Sequence, residues 1–110
     1  MAVAELRIPP LPSAPLDAAG AFHATHLAEA RAALESSDSL VLVFAPASPE
    51  HRAWRLAVVQ ELAREATPKR VNAVAGSDED AIGQALAFLG GAPGVTGQLL
   101  AVDGKSAAKR

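Results

Sequence analysis

A chain of 110 residues, half of them hydrophobic, is one domain able to bury a core of its own. It has no cysteine, which excludes disulfides, thiolate-ligated zinc and thiol catalysis, and a net charge of −2 excludes the broad positive field of a general nucleic-acid binder. No apolar run reaches the ~20 residues of a membrane helix, and MAVAELRIPPLPSAP lacks the pattern of a signal peptide, so the expected setting is cytoplasmic.

The apolar residues are mostly Ala, Val and Leu. The aromatic ones are Phe22, Phe44, Phe88 and Trp54, with no Tyr. That composition predicts thin layers of helix on strand rather than a deep aromatic pocket.

Residues 3–8, VAELRI, read as a short strand, stopped by Pro9 and Pro10. PPLPSAP is then an extended connector. Asp17 is expected to cap a helix through AAGAFHATHLAEARAALE, in which Phe22, Leu27, Ala30 and Leu34 recur at helical spacing. Ser36, Ser37 and Asp38 end it. LVLVFA, residues 40–45, is a continuous apolar run, as in a parallel strand buried on both faces.

Pro46 ends that strand. Ser48 and Pro49 offer a capping hydroxyl and a proline at the first helical position. The helix they open should reach about Ala66, with Trp54, Ala57, Val58, Val59 and Leu62 inward and Arg55, Glu61, Arg64 and Glu65 toward water. Residues 70–75 form a third strand and Gly76 turns the chain. Ser77 or Asp78 then caps a helix that puts Ile82, Leu86 and Leu89 inward and ends at two glycines. Residues 96–102 are the expected last strand. The domain should span residues 1–104, with 105–110 as a frayed basic tail.

Strand and helix alternate throughout, which predicts an α/β fold with a parallel sheet. Four strands need helices on both faces, or a partner on one. The expected architecture is a Rossmann-like, three-layer fragment with three covering helices.

Four phrases occur in order: ELARE at 61–65, RVNAVAG at 70–76, AIGQALAFL at 81–89 and VTGQLLAVDG at 95–104. Together they resemble the short-chain dehydrogenase/reductase family. Weaker likenesses are DAAGAF at 17–22, similar to the family's NxxGxF helix start, and SLVLVFA at 39–45, similar to its fifth strand. The resemblance equates the four strands with the family's strands four to seven, which are neighbours, and so implies the sheet order 1-2-3-4. It covers the C-terminal half of the family. The glycine-rich cofactor turn of the other half has no counterpart here, and neither a cofactor nor a bound dinucleotide is expected. The loop at Gly91–Gly97 carries glycines at spacing three, but it leads from helix to strand, the reverse of a dinucleotide-binding turn.

The family's catalytic set is Asn, Ser, Tyr and Lys. Carried over, the Asn position falls on Asp17 and the Ser position on about Ala45. The YxxxK pair falls on Ser48 and Arg52, or alternatively on His51 and Arg55. Neither choice supplies a phenol, so no dehydrogenase activity is expected. The family's substrate-closing segment is also reduced to SDED between Gly76 and Ala81.

The first functional reading is therefore a non-catalytic domain acting through association, as a homodimer or with a full-length dehydrogenase-like partner. Phe22, Trp54, Val58, Phe88 and Leu100 are the candidate interface residues. Neither nucleic acid nor membrane is an expected partner. The alternative is a ligand-binding protein or reduced enzyme with a site rebuilt around Asp17, His51, Arg52 and Arg55. A weaker candidate is a metal site at His23, His26 and Glu29, whose spacing of three lacks an obvious fourth ligand.

Overall fold

A computed structural model describes residues 3–103. Strands β1 (Val3–Arg7), β2 (Ser39–Phe44), β3 (Arg70–Ala75) and β4 (Leu99–Ala101) form one all-parallel sheet in the order β1-β2-β3-β4. The expected α/β, Rossmann-like arrangement is the one the chain adopts. The tail expected at 105–110 lies outside the described residues.

The register explains why LVLVF is apolar throughout. Leu40, Leu42 and Phe44 share one sheet face with Val71, Ala73 and Leu99. This face packs under the helices between β1 and β2 and between β2 and β3, through Phe22, Ala30, Leu34, Val59 and Leu62. Val41, Val43 and Val74 point the other way, onto Ile82, Ala85 and Leu89 of α4 (Glu79–Gly90).

The first helical layer is one rod in three parts: α1 (Pro15–Ala21), a π-helical turn (Phe22–His26) and α2 (Leu27–Glu35). Its buried residues Ala18, Phe22, His26, Ala30 and Leu34 are spaced by four. In an α-helix that spacing drifts by about 40° per step. The wider π turn, closed by the Leu27 N–H on the Phe22 carbonyl, absorbs drift and keeps the stripe on the sheet. Asp17 is not the cap. Ala14 holds that position and Pro15 opens the helix, because its fixed φ suits the first turn and it has no N–H to satisfy.

The next helix begins with a 3₁₀ turn (Pro49–His51) and continues as α3 (Arg52–Ala66). Ser48 is its cap residue, but its hydroxyl caps no amide and lies 3.3 Å from Glu50 Oε2. Two assignments on α3 reverse. Ala57 is exposed, and Arg55 is buried at 8% exposure. Arg55 precedes Val59 and Leu62 by four and seven residues, which places it on the inner stripe.

α4 is capped as expected, Asp78 accepting from the amides of Asp80 (2.9 Å) and Ala81 (3.3 Å). At its far end the Arg70 guanidinium donates to the carbonyls of Leu89 (2.8 Å) and Ala92 (3.1 Å). The last strand is shorter than expected, covering Leu99–Ala101 rather than 96–102. Gly97 adopts a left-handed φ of 75° and bends the chain out of the ladder, while its amide bonds Val71 O at 2.7 Å.

On the α4 side of the sheet, Glu5 and Arg7 of β1 lie in register with Val41 and Val43 and are exposed. Arg7 pairs with Glu5 and, at 2.9 Å, with Glu79 at the start of α4. Charges on an edge strand discourage pairing with further strands. Among the described residues, no helix is long and apolar enough to cross a membrane.

Candidate functional site

The carboxyl ends of β2, β3 and β4 surround a cleft of about 420 Å³. Pro46 breaks β2 and Pro49 restarts the chain as helix, so residues 46–49 form one wall. The opposite wall is held by backbone bonds. Gly76 N donates to Phe44 O (3.1 Å), and Val102 N donates to Ala75 O (2.8 Å). The Asp103 carboxylate accepts from the Asp78 amide at 3.1 Å. Gly76 is required for close approach: a Cβ there would lie 1.9 Å from Val102 O.

Arg55 enters this cleft from below. Its guanidinium carbon sits 4.5 Å from the centre of the Phe44 ring and 5.9 Å from that of Trp54. Its Nε is buried without a hydrogen-bond partner among the described residues. Burial pushes the guanidinium below its ordinary pKa, with no acidic neighbour to restore it. The group nevertheless stays cationic near neutral pH, since arginine starts so high. The cleft therefore contains a largely buried positive charge that no described residue pairs, since Asp103, which also lines it, bonds the Asp78 amide instead.

Arg55 itself rests on an aromatic cluster that does not line the cleft. Phe22, Phe44 and Trp54 pack together, with ring centres 6.0 Å (Phe22–Phe44), 5.9 Å (Phe22–Trp54) and 5.7 Å (Phe44–Trp54) apart. Three of the four aromatic residues thus gather in one cluster.

His51 borders the same cleft, but both its ring nitrogens are engaged. Trp54 Nε1 donates to Nδ1 at 3.0 Å, and Nε2 meets the Ser13 carbonyl at 2.9 Å. An indole N–H can only donate and a carbonyl can only accept, so the proton sits on Nε2. His51 pins the start of α3 to the connector after β1, which leaves no ring nitrogen free for proton transfer.

The cleft brings together Ser48, His51, Arg52 and Arg55, but not Asp17, which is exposed on α1. Ala45 lies in a neighbouring cavity of about 290 Å³ that shares His51 and Arg55. The sequence puts Arg55 toward water and gives no sign that its guanidinium is buried on the Phe44 ring. The available signal was the spacing of Arg55 to Val59 and Leu62.

The other candidates separate. His23 Nδ1 donates to the Ala19 carbonyl (2.8 Å), while His26 pairs with Glu29 (2.7 Å). No group of three or more His, Cys, Asp or Glu residues is placed to hold a metal among the described residues. Of the interface candidates, Phe22 (0% exposed) and Val58 (6%) are spent in the chain's own core. Trp54 and Leu100 are half-buried, and Phe88 is 58% exposed. The Gly91–Gly97 loop precedes β4, at the end of the sheet opposite the cleft. Asn72 fastens that loop, its side chain donating to Val95 O and accepting from Gln98 N, each at 3.0 Å.

A family model described as SDR-like, "Short chain dehydrogenase-like protein", matches residues 6–102. No curated protein and no solved structure matches the chain.

Proposed function

The chain belongs to the short chain dehydrogenase-like family, and from that membership we propose that it is a non-catalytic domain working by association. The partner is a second copy or a full-length dehydrogenase-like protein. The reading rests most on Phe88. It is 58% exposed on α4, the helix that leads into edge strand β4 with its half-buried Leu100. A large apolar side chain left in water gains from being covered, and so does a sheet edge. The family resemblance assigns subunit contact to the last strand and the helix before it.

The absence of catalysis is supported at the acid–base positions. A phenol would fall at Ser48 or His51, and the chain contains no tyrosine. Ser48 is a poor acid near neutral pH, and both nitrogens of His51 are engaged.

Size-exclusion chromatography with light scattering tests association, and turnover of NADH or NADPH with carbonyl compounds tests inactivity. The expected results are a dimer or a co-purifying dehydrogenase-like protein, and no turnover. A monodisperse monomer at high concentration without such a partner would overturn the first claim, and turnover the second.

A further inference from the structure

A buried arginine normally faces a carboxylate or a row of carbonyls, because taking a guanidinium out of water costs several kcal/mol when nothing replaces the water. Arg55 Nε has no hydrogen-bond partner among the described residues, and no acidic group offsets the effect of its burial. Only 8% of the residue is exposed, and it lines both the 420 Å³ cleft and the adjoining cavity. The Phe44 face supports the guanidinium plane from one side. Among the described residues no carboxylate pairs with this guanidinium, and Asp103 in the same lining bonds the Asp78 amide instead.

The geometry points to the cleft as a binding site for a small organic carboxylate with an apolar body, held by the Arg55 guanidinium. A carboxylate is planar and accepts two parallel N–H bonds from an arginine fork. One negative charge balances one buried cation. Beyond the arginine the walls are largely apolar, with Pro46, Ala47, Leu99, Ala101 and Val102 available to an aliphatic or aromatic body.

A phosphate dianion fits less well. Pro49, at the first helical position, removes an amide donor of the kind phosphates use. Asp103 adds a negative wall. Arg52 lies exposed in the lining, where its charge attracts any anion without selecting among them. This inference does not depend on whether the chain associates.

Isothermal titration calorimetry and thermal melts with octanoate, benzoate, octan-1-ol and inorganic phosphate test it, on wild type, Arg55→Met and Arg55→Lys. Octanoate or benzoate should bind wild type by ~10 mM and raise its Tm, with octanoate at least about tenfold tighter than octan-1-ol. Arg55→Met should melt at or above wild type without ligand, since it removes an unpaired buried charge, and should lose the preference for octanoate. Arg55→Lys, which keeps the charge but not the fork, should bind octanoate more weakly than wild type.

Four results would overturn the proposal: no carboxylate binding by ~10 mM, equal binding of octanoate and octan-1-ol, unchanged octanoate binding by Arg55→Met, or phosphate binding tighter than either carboxylate. An Arg55→Met variant that melts well below wild type or fails to fold would overturn it too, by making Arg55 part of the fold. Octanoate binding by Arg55→Lys as tight as by wild type would count against the fork.

Discussion

Trp54 and His51 are joined by a hydrogen bond of 3.0 Å, in which the indole N–H donates to imidazole Nδ1, and the other imidazole nitrogen meets Ser13 O at 2.9 Å. This relay ties the connector after β1 to the first turn of α3 and so shapes the cleft from behind. His51→Ala is predicted to lower stability by about 2 kcal/mol, since it leaves the indole N–H and a carbonyl without partners. Urea denaturation measures the loss. Nitrogen-15 shifts of the wild-type ring should show the proton on Nε2. An unchanged midpoint would remove His51 from any structural role.

Asn72 is 1% exposed and satisfies two backbone groups of the segment that enters β4. Asn72→Leu is predicted to cost about 2 kcal/mol or more, because Val95 O and Gln98 N lose their partner inside the fold. Hydrogen exchange at the Gln98 amide should accelerate well beyond the change at β2 amides. Equal acceleration at both places would mean global rather than local loosening.

Gly76 admits no side chain at the position it holds against Val102. Gly76→Ala is predicted to destabilise by more than about 2 kcal/mol, because the methyl meets a backbone carbonyl and something must shift. The displaced Val102 wall should also alter the cleft, so amide shifts in 99–103 should move with the Tm. A fully stable Gly76→Ala protein would contradict the close approach.

Arg31 and Glu65 bridge α2 and α3 through two bonds of 2.8 Å. Hydrogen bonding to Arg31, with a smaller charge effect, holds the Glu65 carboxyl below its ordinary pKa. A depressed folded pKa gives stability that is present above the unfolded value, ~4.3 for Glu, and lost as pH falls through the folded pKa. Wild type should therefore exceed Glu65→Gln in stability at neutral pH and converge with it on acidification below about pH 4. Both partners are about half exposed, so the difference should be small and shrink in high salt. A difference that persists in strong acid would assign the effect to something other than ionisation.

Phe88→Glu tests association without disturbing the core, since most of the side chain is in water. The variant should keep the wild-type Tm as a monomer and shift to lower mass in light scattering. Unchanged mass would move the interface elsewhere.

Much of the fold was legible because burial leaves a periodic trace. The continuous apolar run at 40–45 predicts a strand covered on both faces, and the register supplies both covers up to Phe44. Asp78 caps the last helix as its side chain and position suggest. Helix starts were less legible. Asp17 and Ser48 both have capping chemistry, but Pro15 and Pro49 set the backbone while neither polar side chain bonds an amide.

The site was legible only in part. Ser48, His51, Arg52 and Arg55 lie close in sequence and share one cleft because a single helix start carries them. Asp17 was grouped with them by resemblance, yet it faces water on a different helix. Of the interface candidates, Phe22 and Val58 lie in the chain's own core, because an apolar side chain is as useful to a core as to a partner.

The sequence by itself determined the order of strands and helices, the parallel sheet and the family, because hydrophobic spacing and local phrases are properties of neighbouring residues. The tertiary structure alone decided the state of two side chains. Charge suggests that Arg55 faces water, and ring chemistry suggests that His51 exchanges protons. Packing instead places Arg55 on Phe44 without a counter-ion and engages both nitrogens of His51. Whether a polar group is exposed, paired or left unpaired depends on what other elements bring to it, and those residues are distant in the chain.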